Sequence, residues 1–191
     1  MSRNTFVDRT FTAGELQPEQ LRQAEFEHCT FRQCNWMGAD LSNARFTDCV
    51  FEHCDLSNVK VGGTGFRSVR FKGCKLLGVP FDHCNTFLLA MAFEECRLDY
   101  AVFRSLALKA TRFIGCHLRE VDLSGADLSK SDFSGSDLSG AIFDGTVLTD
   151  ADLRDAHHFN IDPERNRIKG AILAVHGLPG LLLKYGIRVE D

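Results

Sequence analysis

Hydroxylated and indole rings are nearly missing from this chain, which has two Tyr and one Trp against 16 Phe in 191 residues. Such a ratio keeps the aromatic ring and rejects its hydroxyl, as a dry interior without polar partners would. Proline is scarce as well, with four residues against 16 glycines, so glycine must supply many of the turns. No apolar run approaches the roughly 20 residues of a helical membrane span. No charged-then-apolar leader opens the chain, so a cytoplasmic protein without membrane contact is expected. The formal charge of −4 argues against direct nucleic-acid binding driven by the overall field. There is no phosphate-binding glycine loop, no G-x-S-x-G and no C-x-x-C among the eight cysteines. Catalytic residues, metal and cofactor are therefore all expected to be none, and the protein is expected not to be an enzyme.

What the chain does have is a period of five. From Phe6 through Phe11, Leu16, Leu21, Phe26, Phe31 and Trp36 to Phe81, every fifth residue is apolar. A second run starts at Leu88 and continues through Phe93, Leu98 and Phe103 to Leu153. Five is neither the 3.6 of a helix nor the 2 of a strand, and it calls for a repeat architecture. Two positions before each apolar centre stands a small residue, such as Ala24, Cys29, Cys34, Ala39 or Ala126; two after it stand turn formers such as His28, Gly38, Asn43 or Gly125. A second period of twenty overlies the first: Phe6, Phe26, Phe46 and Phe66 form one column, and Phe11, Phe31, Phe51 and Phe71 the next. Four sides per coil, stacked at about 4.8 Å, give about seven to eight coils.

That register also disposes of the tempting chemistry. All eight cysteines fall in the small inward slot once Cys84 is counted in the first phase, so they read as reduced core residues. The pairs His28-Cys29, His53-Cys54 and His83-Cys84 place histidine at an outward corner and cysteine inward, so the two diverge. His157-His158 lies where the pattern stops and reads as a junction.

The stretches Ala39 to Phe46, Val121 to Phe143 and Thr149 to Ala156 resemble the A-(D/N)-L-x-x signature of pentapeptide repeat proteins, over about residues 5–157. The resemblance implies an all-β fold, a right-handed quadrilateral β-helix over 1–157. A C-terminal cap and dimerisation tail is expected over 158–191. Asp162-Pro163-Glu164 reads as a helix start, and Pro179 to Tyr185 with Gly186 behind it as a second short helix. The apolar Leu181, Leu182, Leu183, Ile187 and Val189 are expected either to cap the rod within one chain or to cap it and join two chains as a homodimer.

Two further features are candidate contacts. Between Phe81 and Leu88 the phase slips by two, so Asp82, Asn85, Thr86 and Phe87 mark a bulge or a projecting loop that touches a partner. Acid gathers in residues 120–162, where Asp122, Asp127, Asp132 and Asp137 fall on successive sides of one coil and Asp152 stacks on Asp132. The tail, and Cys74-Lys75-Leu76-Leu77-Gly78-Val79, are similar to the topoisomerase-protecting subgroup of the family, which includes quinolone-resistance and microcin- and albicidin-immunity proteins. That similarity implies a dimer, acidic at its centre, whose partner is DNA gyrase or topoisomerase IV. A scaffold or protein-binding module without a topoisomerase partner is the alternative.

Overall fold

A chain that returns an apolar side chain every five residues buries all of them only if it bends after each one. The computed structural model describes residues 4–187, and there the chain winds as a four-sided parallel β-solenoid. One side stacks β1 (Thr5–Val7), β3 (Glu25–Glu27), β5 (Arg45–Thr47) and β7 (Gly65–Arg67), with Phe6, Phe26, Phe46 and Phe66 in direct register. The next side stacks β2 (Thr10–Phe11), β4 (Thr30–Arg32), β6 (Val50–Glu52), β8 (Val69–Lys72), β9 (Met91–Glu94) and β10 (Phe113–Ile114). Elsewhere coils touch through single parallel bridges such as Asn35 to Asp55, Asp40 to Lys60 and Asp132 to Asp152.

The phenylalanines fill the first half as predicted. Phe26 and Phe46 stack with centroids 5.0 Å apart and planes 4° from parallel, while Phe26 meets Phe31 of the adjacent column edge-on at 81°. Both are favourable ring geometries, and the coil spacing enforces the first.

The inward small slot is more specific than the sequence suggests. Cys54 Sγ donates to the Phe31 carbonyl of the preceding coil (3.4 Å), as Thr64 Oγ1 does to Leu41 (2.7 Å) and Ser136 Oγ to Phe113 (2.7 Å). Cysteine, serine and threonine share the slot because each is small and brings a donor to a buried carbonyl. All eight cysteines are free and buried.

The phase slip is a bulge that leaves the rod continuous, but its place differs from the expected one. Gly65 still pairs with Asn85, twenty residues on, whereas Val69 pairs with Met91 and Phe71 with Phe93, both twenty-two on. The two additional residues therefore lie within 86–90. Asp82 belongs to a 3-10 turn (Phe81–His83), and Phe81 keeps its column, stacking on Phe103 at 4.8 Å. Leu88 is no core centre: it takes the left-handed corner (φ 56°) and is exposed, while Leu89 packs on the core.

Solenoid bridging also runs beyond 157, through Val147 to Arg167 and Asp152 to Ile172. Ile161 and Phe159 are buried, and Asn166 fills a small slot, its Oδ1 accepting from Thr146 N (2.9 Å) and its Nδ2 donating to Phe143 O (3.1 Å). Asp162 starts a turn rather than a helix, because its carboxylate accepts from Glu164 N (2.8 Å) and closes the turn at once. The expected second helix is present as Pro179–Leu182 followed by a 3-10 turn (Leu183–Tyr185), ended by Gly186 at φ 65°.

Candidate interaction surfaces

The acidic coils are built by their aspartates. In each A-D-L-S unit the Asp stands just before the apolar centre, and its Oδ1 accepts the N–H of the residue two further on. Asp122 takes Ser124 N (3.0 Å), Asp127 Ser129 N (3.1 Å), Asp132 Ser134 N (2.9 Å), Asp137 Ser139 N (3.2 Å) and Asp152 Arg154 N (3.1 Å). These bonds fix the turn that ends each side. The second oxygens largely meet cations: Asp122 with Arg104 (3.4 Å), Asp127 with Lys109 (3.3 Å), Asp137 with Arg119 (2.7 Å) and Asp152 with Arg154 (2.6 Å).

Asp137 also meets His158 Nδ1 at 3.0 Å. Its burial opposes ionisation, but hydrogen bonds from Ser139, Arg119 and His158 outweigh that and hold its carboxyl well below the usual carboxylate range. Asp132 makes no ion pair among the described residues. Thus the structure does set Asp122, Asp127, Asp132 and Asp137 on four successive sides and Asp152 against Asp132. Yet it gives them a turn-forming role first.

The more available acids were missed. Glu120, Asp150 and Asp155 are exposed, stand two residues after an apolar centre, and make no ion pair among the described residues. The signal was in the register: that corner position projects outward, whereas the position before the centre lies along a side.

Around the bulge, Asn85 Oδ1 accepts Phe87 N (2.9 Å), and Thr86, Phe87 and Leu88 are exposed together. The Arg67 guanidinium lies 5.1 Å from the centroid of the Phe87 ring. Asp82 does not join them, since it faces Arg104 at 3.6 Å.

At the C-terminal end the tail crosses Phe159 so closely that a Cβ on Gly180 would collide with the Phe159 carbonyl oxygen. Ile161 N donates to Gly180 O (3.0 Å), Lys184 Nζ meets Asp162 (2.6 Å) and Glu164 (2.7 Å), and Tyr185 donates to Glu164 (2.8 Å). Leu181 packs on the core, Leu182 is half-buried, and Leu183 and Ile187 are exposed, with Val175, Leu178 and Tyr185 beside them in sequence. Val189 lies outside the described residues.

The tempting histidine and cysteine pairs do not converge. The His-Cys pairs point apart, His28, His53 and His83 being exposed and their cysteines buried. Burial pushes the Cys49 thiol up to about 12 and the Cys84 thiol to about 11, which suppresses the nucleophilic thiolate. Among the described residues no three His, Cys, Asp or Glu side chains are placed to hold a metal, and no helix is long and apolar enough to cross a membrane.

Comparison with known proteins agrees with this architecture. Residues 44–121 match a family model described as a pentapeptide repeat region, and residues 20–58, 108–145 and 131–157 match pentapeptide repeats. No curated protein matches the sequence. Among solved structures, two trypsin-treated forms of QnrB1, a plasmid-mediated fluoroquinolone resistance protein, are similar over nearly the whole chain. One aligns with TM-score 0.65 and 20% identity over 100% of both chains, the other with 0.64 and 20% over 98% of both. HetL, a pentapeptide repeat protein involved in heterocyst differentiation regulation in the cyanobacterium Nostoc, aligns at 0.43 and 19% over 87% of this chain and 84% of its own.

Proposed function

The chain belongs to the pentapeptide repeat family, and on that premise we propose that it is a topoisomerase-interacting protein. It binds DNA gyrase or topoisomerase IV and protects that enzyme from a poison, conferring antibiotic resistance or self-immunity, with no catalytic step of its own. One observation carries the reading: an apolar tail, docked across the last coil and partly exposed at Leu183 and Ile187, adjoins the acid-rich coils. Two such tails meeting would bury these residues and set the acidic coils of two protomers about a common centre. The surface so formed presents Glu120, Asp150, Asp155 and Asp132 to a DNA-binding enzyme.

The scaffold reading is favoured by a different observation. The aspartates Asp122, Asp127, Asp137 and Asp152 close turns and pair with neighbouring cations, roles that any rod of this sequence needs without a partner.

A gyrase supercoiling assay, titrated with this protein with and without a panel of poisons, separates the two. Rescue of supercoiling under one poison is expected, and Leu183→Asp together with Ile187→Asp on the exposed face of the tail is expected to abolish both rescue and the dimer seen by sedimentation. Neither rescue nor inhibition at micromolar protein rejects the topoisomerase reading in favour of the scaffold.

A further inference from the structure

A groove of about 390 Å³ lies where the side led by Lys60 meets the turn after Pro80, lined by Ser42, Asn58, Lys60, Val61, Gly62 and His83 among others. No acidic side chain lines it. Its main chain holds two donors that the regular coil would have satisfied. One coil earlier, Leu41 N donates to Lys60 O (2.9 Å) and Ser42 N to Asp40 Oδ1 (2.9 Å). Twenty residues on, neither bond is repeated. Pro80 O, the counterpart of Lys60 O, accepts His83 N (3.1 Å) in the 3-10 turn, so Val61 N goes without it. Lys60 stands in the column where Asp40 stood, so Gly62 N meets no carboxylate. Neither N–H finds another partner among the described residues. Val61 is buried, and an unpaired main-chain donor at a buried residue calls for an acceptor in the groove that the residue lines.

The surrounding charges leave that acceptor free to be an anion. Lys60 makes no ion pair among the described residues. Asp40, in register one coil back, attracts Lys60 without pairing with it, being committed to Ser42 N and facing Arg22 at 3.6 Å. Asp82, next to His83, faces Arg104 (3.6 Å) and does not line the groove.

We propose that this groove binds a small carboxylate anion, one oxygen accepting the Gly62 N–H beside the Lys60 ammonium. The chain itself supplies the precedent. Its aspartate-led turns seat a carboxylate oxygen on the N–H at this same position, as at Ser42, Ser57 and Ser124. Here a cation replaces the aspartate, so the oxygen comes from outside, and Lys60 strengthens the bond by its charge. Recognition thus rests on two unpaired main-chain donors as well as on charge. The proposal does not rest on the topoisomerase reading.

The test is a titration of the isotope-labelled full chain with sodium acetate at constant ionic strength, read by NMR at the Val61 and Gly62 amides. Saturable shifts of both resonances in the millimolar range are expected, and Lys60→Gln should weaken binding about tenfold. Lys60→Asp restores the aspartate of the other turns, so acetate should no longer bind and the melting temperature should rise. Gly62→Pro removes the donor but keeps Lys60, and a Cβ there meets nothing closer than Ser42 Oγ at 3.7 Å. It should abolish binding as read at Val61, and it carries the test should Lys60→Asp fail to fold, circular dichroism establishing the fold of each variant. Acetate affinity unaltered in the folded variants, equal shifts from chloride alone, or no saturation at Val61 and Gly62 overturns the proposal. So does saturation by inorganic phosphate without any by acetate.

Discussion

The first and last coils are the same solenoid held together by different means. In the phenylalanine coils, two sides carry true strands, and their cores are columns of stacked rings, as in Phe31 to Phe51 at 4.6 Å and Phe93 to Phe113 at 5.2 Å. Outward ion pairs such as Arg45 with Glu25 (2.9 Å) bridge successive coils. In the leucine coils after Phe113 no strand is found among the described residues, only single bridges, and the sides led by Asp122, Asp127, Asp132, Asp137 and Asp152 are closed by that aspartate on its own turn. The residue before the apolar centre contributes to the difference. Asp or Asn there bends the side at once, as Asn35, Asp40 and Asp55 do on the remaining sides of the early coils, although Arg97, Val102 and Val147 also make single bridges without such a carboxylate or amide. The lesson is that the period of five sets the fold, and on many sides a single carboxylate or amide oxygen closes the turn.

Cavity mutants probe the core side of this contrast and should give the largest effect. Phe51→Ala is expected to cost about 3–5 kcal/mol, and Leu128→Ala about 2–5 kcal/mol, in denaturant unfolding. An excess of about 0.5–1.5 kcal/mol at Phe51 would be the share of ring stacking, and equal costs would show that stacking adds nothing to burial.

Next comes the turn device. Asp127→Ala should lose about 1–2 kcal/mol by leaving Ser129 N without its acceptor, whereas Asp127→Asn should retain most of that, since Asn35 and Asn85 serve the same purpose elsewhere. If Asn destabilises as much as Ala, the Lys109 pair rather than the turn is what matters.

Acid should separate the two halves without mutation. The carboxyls of Asp127, Asp137 and Asp152 are all lowered. For Asp127 and Asp137, burial opposes the shift and is outweighed by their hydrogen bonds; for Asp152, the Arg154 hydrogen bond leads. A group with a lowered folded value stabilises the fold above its unfolded pKa, near 3.9, and loses that contribution as pH falls through the folded value. Hydrogen exchange at pH 3 against pH 6 should therefore open the leucine coils before the phenylalanine coils. Uniform opening would contradict the assignment.

The smallest effect is expected on the surface of the early coils. Arg45→Ala removes an exposed ion pair and should change stability by less than about 1 kcal/mol. A larger loss would make the outward ladders, and not only the rings, a source of cohesion.

Much of this was legible in the residues. The spacing of Phe6, Phe26, Phe46 and Phe66 gives the columns, and the small slot before each centre locates all eight cysteines. What could not be read was where the chain absorbs a break. Leu88 looked like a centre because it is apolar and five before Phe93, but two neighbouring leucines compete for one place, and packing awards it to Leu89. The end of the coil was misplaced for a similar reason. After Leu153 the apolar centres lapse, Phe159 standing six residues on, but Ile161 and Asn166 continue the small-slot series of Ala151 and Ala156, and Asn166 completes another turn by supplying the polar contacts of a regular repeat.

The candidate surfaces divide in the same way. An aspartate before a leucine reads as acid on a surface, and only three dimensions reveal that its oxygens are engaged by Ser129 N or Arg119 while Glu120 and Asp155 remain free to solvent. The sequence by itself determined the coil, its four sides and the filling of its core, because those follow from a strict spatial period that burial enforces. The tertiary structure alone decided the place of the bulge and the path of the tail over Phe159. Those depend on contacts between residues whose separation in the chain carries no period.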